Sequence, residues 1–315
     1  MNVLFTAIGR RVQLINHFKK YHKVVGVDIG ELAPAKYFVD SFYKVPKWND
    51  KGYIDTLLNI CKKENVDMLI PLYEKEFILL CENREKFNEI GTMLILSNKK
   101  TIEIFNDKWE SYRFFIENGI DTPMTYKKQE AKDLSFPLII KPVDGAGSQN
   151  IFKINNKKEL NFFIEYIENP IIQEYIKGTE YTIDVLCDLE GNVISIVPRE
   201  RIEVRAGEVS KGRTVKNKDI IEKTLELCNK LKIDEHTKPI GPLTIQCIVD
   251  LDNNIKFIEI NPRFGGGVPL TFEAGVPYAE YLGKMVKGMK IQSIIGEFKV
   301  LTMLRFDDAI YFDNL

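Results

Sequence analysis

The sequence predicts an α/β protein (α+β in its later part), and three observations support this fold class. Residues 1–97 alternate short apolar runs with helical patterns, which is the rhythm of a parallel sheet covered by helices. The centre carries a glycine-rich loop between two β-type runs, over 136–154. Near the C-terminal end a hairpin pattern, 243–261, leads into Asn-Pro-Arg and three glycines.

Composition narrows the class of protein. The chain has 315 residues, 44% of them hydrophobic, and a formal net charge of −1. Nucleic-acid and anionic-membrane binders need a basic excess, so we expect neither kind of partner. Five scattered cysteines and no apolar run of membrane-spanning length favour a reducing, cytoplasmic location. The three histidines form no catalytic or metal-binding pattern, and we expect them at the surface.

The N-terminal region predicts a small parallel sheet, with strands at 3–8, 24–28, 68–71 and 93–96 and helices at 12–20, 53–64 and 77–88. A dinucleotide fingerprint needs three glycines, but Gly9 is the only glycine in the turn after the first strand. An NAD-dependent oxidoreductase is therefore disfavoured. Arg10, Arg11 and the loop 71–74 fall where parallel strands end, which is a usual ligand edge, so Arg10 is a candidate substrate contact.

The central glycine loop follows a strand, 136–142, that contains Lys141. It resembles the Gly-x-Gly-x-x-Gly pattern, but a second strand, 151–154, follows instead of a helix. No P-loop pattern occurs either. Such a loop either folds over phosphates with its backbone N–H groups or is a plain turn. Further on, the strand 171–176 could offer backbone groups to adenine, while Glu174 or Glu180 accepts a ribose hydroxyl.

The hairpin 243–261 brings oxygen ligands together. Side chains alternate along a strand, so Glu259 and Asn261 project from the same face. If the hairpin turns around 252–253, Gln246 lies opposite Glu259. Three oxygen donors followed by Arg263 suit Mg²⁺ held against phosphate oxygens. The alternative is a solvated strand end that approaches an Asn-Pro turn.

In this order, the features resemble the ATP-grasp superfamily, and most of all its carbamoyl-phosphate-synthase-like branch. They are Lys108, Lys141 with its glycine loop, the segment 173–176, the segment 178–180, Gln246 and the motif 259–263. The resemblance implies a pre-ATP-grasp domain at 1–97, a lid subdomain with hinge at 98–178, and a C-terminal subdomain with the metal site at 179–315. The whole would be a two-lobed fold closed by a glycine-loop lid.

The resemblance also implies roles for individual residues, with ATP and Mg²⁺ (or Mn²⁺) as cofactors. The residues that would bind ATP are Lys108, Lys141, Gly145, Gly147, Ser148, Gln173, Glu174, Tyr175, Ile176 and Glu180. The metal ligands would be Gln246, Glu259 and Asn261. The catalytic cations would be Arg263, Lys211 and Arg213, and the substrate contacts would be Arg199, Arg205 and Arg10.

The chemistry implied is an ADP-forming ligation in which a carboxylate is activated as an acyl-phosphate and captured by an amine. The partners are then small-molecule carboxylates and amines, and the family's frequent dimers suggest a homodimer. Two alternatives stay open at this point. One is a carbamoyl-phosphate-synthase-like enzyme acting on bicarbonate or carbamate, and the other is an ATP-binding regulatory protein without turnover.

Overall fold

A computed structural model describes residues 1–144, 149–205, 207–232 and 237–313. Within these ranges the chain forms a five-stranded, a four-stranded and a six-stranded sheet. Their sequence order and the mixture of parallel and antiparallel pairing confirm the predicted fold class. None of the helices in these ranges has the length and apolar character needed to cross a membrane.

The first sheet is parallel, in the order β3-β2-β1-β4-β5. Its strands are β1 (Asn2–Phe5), β2 (Lys23–Asp28), β3 (Ser41–Lys44), β4 (Met68–Ile70) and β5 (Met93–Leu94), with helices α1 (Val12–Lys19), α2 (Tyr53–Glu64), α3 (Phe77–Glu82) and α4 (Arg84–Glu89). Strand β3 was not predicted, because its side chains are only partly buried. The prediction of a single helix over 77–88 is wrong, because the helix is interrupted at Asn83, whose backbone is not helical.

The four-stranded sheet is antiparallel, in the order β6-β9-β7-β8. It follows helices α5 (Lys99–Asn106) and α6 (Lys108–Glu117) and comprises β6 (Thr125–Lys127), β7 (Leu138–Pro142), β8 (Phe152–Ile154) and β9 (Pro170–Glu174), with α7 (Lys157–Tyr166) packed on it. The Asp107 side chain caps α6 by accepting hydrogen bonds from the backbone N–H groups of Trp109 and Glu110. This cap fixes the helix start at Lys108.

The six-stranded sheet is antiparallel, in the order β14-β13-β10-β11-β12-β15. Its elements are β10 (Gly178–Cys187), β11 (Val193–Arg205), β12 (Glu208–Thr214), α8 (Lys218–Lys230), β13 (Gly241–Asp250), β14 (Ile255–Asn261), α9 (Pro269–Glu273), α10 (Tyr278–Val286) and β15 (Thr302–Leu304). Side chains point to alternate faces along each strand, so one face carries a buried apolar core that includes Ile183, Ile245 and Phe257. The opposite face carries the polar side chains described below.

Helix α9 packs against α1 and joins the first sheet to the third. The ring of Phe272 stacks on that of His17, with centroids 3.8 Å apart. His17 is only 6% exposed, so the expectation of a surface histidine is wrong at this position. Burial lowers the pKa of His17 to about 4, which keeps the ring neutral at physiological pH.

Candidate active site

A carboxylate and two amides converge at the end of the β13–β14 hairpin. Gln246 lies directly opposite Glu259 in the strand register, as the sequence predicts. The side-chain amide of Gln246 donates to Glu259 Oε1 at 2.6 Å, and that of Asn261 donates to the same oxygen at 2.9 Å. Within the described ranges, Glu259 Oε2 and the two amide oxygens accept no hydrogen bond. The set therefore presents three unused oxygens of the kind that Mg²⁺ or Mn²⁺ prefers.

Lys141 in β7 supplies a buried cation from the neighbouring sheet. Its side chain is 5% exposed, and Nζ donates to Gln173 Oε1 at 3.0 Å. Gln173 in turn donates to Thr125 Oγ1 at 2.9 Å, which fixes its orientation. Burial lowers the pKa of Lys141 to about 8, with the charge of Glu259 opposing the shift and that of Lys108 adding to it. A buried ammonium with one hydrogen bond is poised for an anionic ligand.

Lys108 lies at the start of α6, beside the end of β7. Its backbone N–H donates to the carbonyl of Val143 at 3.0 Å, and its Nζ lies 3.5 Å from the same oxygen. Lys108, Lys141 and Glu259 are therefore gathered from different elements. Gly145, Gly147 and Ser148, which the sequence predicts to cover phosphates, lie outside the described residues.

The predicted adenine-binding segment spans the end of β9 and the connection to β10. Glu174 exchanges two hydrogen bonds with Met124, one through its backbone N–H at 2.8 Å and one through Oε2 at 3.3 Å. Tyr175 and Ile176 follow the strand and are half-buried, and Lys153 Nζ lies 3.9 Å from the Tyr175 ring centroid. Strand pairing ends at Glu174 and resumes at Gly178, so residues 175–177 lie between the two sheets, and their binding of adenine remains a prediction.

Glu180 is exposed and is ion-paired with Arg201, whose Nε lies 3.2 Å from Glu180 Oε2. Arg201 also donates to Thr182 Oγ1 at 3.1 Å and was missed by the sequence reasoning. Strand alternation could have found it, because Arg201 shares the face of Arg199 two residues earlier.

Arg263 lies between the third sheet and the N-terminal region. Its Nε is 2.6 Å from Glu74 Oε1, and both side chains are mostly buried. Arg10 is exposed on the turn after β1, and its charge contributes to lowering the pKa of Glu208. The predicted catalytic arginine and the predicted substrate arginine thus border the same edge of the molecule.

Arg199, predicted to contact substrate, is engaged in a buried ion pair, which favours a supporting role for this arginine. Its side chain is 1% exposed and forms a two-pronged ion pair with Asp184, at 2.6 and 2.9 Å. Thr271 Oγ1 donates to the same carboxylate at 2.5 Å. A Cβ on Gly267 would lie 2.3 Å from Arg199 Nη1, so the arginine occupies the space beneath the glycine turn.

Lys211 and Arg213, predicted to be catalytic, lie on the face of the sheet opposite to Glu259, Gln246 and Asn261, which disfavours that role. Thr214 pairs with Arg199 and Gly212 with Arg201, which places those residues of β12 on the site face. Side chains alternate, so Lys211 and Arg213 lie on the other face, ion-paired with Glu203 and Glu200. Arg205, predicted to contact substrate, is 73% exposed at the hairpin tip and pairs with Glu203.

The described part of the chain contains no group of three or more His, Cys, Asp or Glu side chains placed to hold a metal ion. The donor set at β13–β14 therefore has one carboxylate and two neutral amides. Such a set suits a cation whose remaining ligands are phosphate oxygens and water, as is usual for Mg²⁺ with a nucleotide.

The fold and the site together define a class of protein. Residues 105–267 match the model of the ATP-grasp domain, which covers half of the chain, and the chain belongs to that family. Residues 3–95 match the PylC-like N-terminal domain.

Curated relatives include the carbamoyl phosphate synthase large chain of Clostridium botulinum (strain Kyoto / Type A2), which is 28% identical over 257 residues. That match covers 77% of this chain but 22% of the relative, so the chain spans about a fifth of its length. Among solved structures, N5-carboxyaminoimidazole synthetase from Staphylococcus aureus complexed with ADP has a TM-score of 0.75 at 19% identity and covers 97% of this chain and 82% of that one. The L-amino acid ligase from Bacillus licheniformis has a TM-score of 0.71 at 18% identity and covers 91% and 74%. Both of these solved structures share the fold of this chain.

Proposed function

We propose that this protein is an ADP-forming ligase that joins a carboxylate to an amine through an acyl-phosphate. The observation that carries this proposal is the approach of two groups from separate sheets. Lys141 is a buried cation, and the charge of the Glu259 carboxylate raises the pKa of Lys141 against the larger, lowering effect of burial. A buried cation beside a carboxylate with unused oxygens is what a metal-bound polyphosphate requires.

In this proposal Glu259 Oε2, with the amide oxygens of Gln246 and Asn261, binds Mg²⁺, which offsets the charge of the phosphates. Lys141 and Lys108 hold phosphate oxygens. The segment 174–176 receives adenine through its backbone groups, and Glu180 accepts a ribose hydroxyl. Catalysis then rests on positioning and electrostatics, and a nucleophilic side chain is not required.

In this proposal Arg263 stabilises the transferred phosphoryl group. Its Nε pairs with Glu74 and its Nη1 donates to the carbonyl of Phe264 at 3.4 Å, and Nη2 would contact the phosphate oxygens. Glu74 thereby acts as a positioning residue from the N-terminal region. The proposal assigns the binding of the carboxylate and the amine to the edge that Arg263 and Glu74 border.

The test is ADP release from Mg-ATP in the presence of pooled amino acids, small carboxylates and amines. We expect ADP and phosphate, without AMP, in one pool that contains a carboxylate–amine pair. Glu259→Gln retains the size of the side chain but removes its charge, and it should abolish turnover while leaving the unfolding transition in place. Glu273→Gln, at an exposed glutamate, is the matched control and should keep full activity.

Two outcomes would overturn the ligase. ADP release that needs bicarbonate alone would favour the carbamoyl-phosphate-synthase-like reaction suggested by the names of the curated relatives. Tight Mg-ATP binding without turnover in any pool would favour a regulatory protein. Equal activity of Glu259→Gln and the native protein would show that the proposed metal site does not take part in turnover.

A further inference from the structure

Gly266, in the turn after β14, separates two charged side chains that come from distant parts of the chain. A Cβ at this position would lie 3.4 Å from Arg11 Nη1 and 3.4 Å from Glu208 Oε1. Arg11 follows β1 of the first sheet, whereas Glu208 begins β12 of the third. The described residues include no ion pair between the two. Two opposite charges therefore flank Gly266 without forming an ion pair with each other.

Arg11 lacks the partners that its neighbours have. Across the described ranges, its guanidinium makes no hydrogen bond and no ion pair, although Arg263 and Arg305 nearby are both paired with glutamates. Burial, followed by the charge of Arg263, lowers the pKa of Arg11. The charges of Glu208 and Glu74 oppose this shift, but neither carboxylate is in ion-pair contact with Arg11 among the described residues. The guanidinium of Arg11 therefore has donors available for an anionic ligand.

Glu208 is the complementary group, and one of its oxygens is already engaged. Arg305 Nη1, just beyond β15, lies 2.9 Å from Glu208 Oε2, which leaves Oε1 toward Gly266. Burial favours the neutral form, but Arg305, Arg11 and Arg10 outweigh it and hold the pKa of Glu208 below its ordinary value. Glu208 is therefore ionised and has a free oxygen for a cation.

We propose that the space above Gly266 binds the ammonium and carboxylate of an α-amino acid, with the carboxylate on Arg11 and the ammonium on Glu208. The inference rests on the proposed ligase function, in which this amino acid is the amine substrate. A simple amine would leave Arg11 without a partner, and an inorganic anion would leave Glu208 Oε1 without one. A zwitterion matches both groups, because its opposite charges sit on one carbon.

The glycine itself is part of this site. Gly266 is half-buried and its backbone is outside the left-handed region, so alanine is tolerated there. The contacts of 3.4 Å leave room for a methyl group but not for a ligand beside it. Gly266→Ala should therefore block the amino acid without disturbing the fold.

The experiment measures ADP release with Mg-ATP and the responsive pool for the native protein, Arg11→Ala, Arg11→Lys, Glu208→Gln and Gly266→Ala. Arg113→Ala, at an exposed arginine on α6 that pairs with Glu110 and Glu117, is the control. We expect the KM for the amino acid to rise about 10- to 100-fold in the alanine variants and less in Arg11→Lys, since charge-assisted hydrogen bonds have this strength. The KM for ATP should stay within about twofold, because Arg11 and Gly266 contact no group assigned to ATP.

A binding measurement separates failure of this inference from failure of the ligase. Thermal shifts with Mg-ADP are recorded for α-amino acids, for their carboxamides and for the corresponding decarboxylated amines. Stabilisation by at least one amino acid, absent for its amide and amine and lost in Gly266→Ala, supports the site even if no pool releases ADP. Equal shifts for all three ligand types, no shift with any amino acid, or unchanged shifts in Arg11→Ala would overturn it.

Discussion

The buried ion pair between Arg199 and Asp184 makes a sharp prediction about stability. Asp184→Leu would leave the Arg199 guanidinium, 1% exposed, without its counter-charge and without two hydrogen bonds. Removing one partner of a buried ion pair costs about 3–5 kcal/mol. Thr271 would also lose its acceptor, which adds to the loss. We expect the free energy of unfolding to fall by about this amount.

The double variant Asp184→Leu/Arg199→Met tests the origin of that loss. Replacing both partners of a buried pair with apolar residues of similar volume is often close to neutral. The double variant should therefore recover most of the stability that either single substitution removes. The measurement is urea unfolding followed by circular dichroism, with equal m-values as the criterion that the same surface is exposed.

The same cycle tests the structural role assigned to Arg199. If this arginine only supports the glycine turn, the double variant should keep the KM values of the native enzyme within a few-fold. A loss below about 1 kcal/mol in Asp184→Leu would refute the electrostatic argument. A double variant that is stable but cannot bind its carboxylate or amine would show that Arg199 contacts substrate after all.

Three further predictions concern buried positions. Gly267→Ala should destabilise by about 1–3 kcal/mol, because its Cβ would lie 2.3 Å from the immobilised Arg199 Nη1. The pKa of His17 is lowered to about 4, so the contribution of this residue to the free energy of unfolding should fall by about 2 kcal/mol when the pH drops from 8 to 5. The reason is that the unfolded chain takes up the proton at a higher pH than the folded chain does. Burial raises the pKa of Glu76 to about 7, so the contribution of this carboxyl to stability should fall as pH rises from about 4.5 to 7, and Glu76→Gln should raise stability at pH 8 by about 2–3 kcal/mol.

Each of these has a matched control. Gly266→Ala, with no contact closer than 3.4 Å, should change stability by less than about 0.5 kcal/mol. His17→Phe retains the stacking on Phe272 and should flatten the acid limb of the stability curve. Glu76→Gln should give no gain at pH 4, where the native carboxyl is already protonated. The two titrations oppose each other between about pH 5 and 7, so each is read from the difference between a variant and the native protein. A His17→Phe or Glu76→Gln variant whose urea midpoint follows pH as that of the native protein does would contradict the corresponding titration argument.

Much of the metal site could be predicted because strand geometry is regular. Alternation put Glu259 and Asn261 on one face, and Gln246 was expected opposite Glu259 from a turn at 252–253. In the structure the pairs next to the turn, such as Cys247 with Phe257, are displaced by one residue, and a register shift between Gln246 and Cys247 brings Gln246 opposite Glu259. The same rule, applied to β11 and β12, could have separated Arg199 and Arg201 from Lys211 and Arg213. The basic residues of β11 and β12 cannot be assigned to one face of the sheet or the other until the pairing of the two strands is known.

Other features depend on contacts that sequence spacing does not encode. Arg11, Glu208 and Arg305 meet only because the first sheet, the β11–β12 hairpin and the last strand pack together. His17 is buried by α9, which lies more than two hundred residues later in the chain. Composition and periodicity report the buried face of an element but not the element that covers it.

Lys141 and Glu259 belong to different sheets, and β9 leads into β10 through residues 175–177. The distance between ammonium and carboxylate is therefore set by the angle between the two sheets, not by the ladder of either one. A small rotation at the connection would change the distance between Lys141 and Glu259, and with it the proposed phosphate contacts. The same rotation would leave Glu259, Gln246 and Asn261 in register. Under the proposed function, metal affinity would then depend on the β13–β14 hairpin alone, whereas phosphate affinity would also depend on the angle between the two sheets.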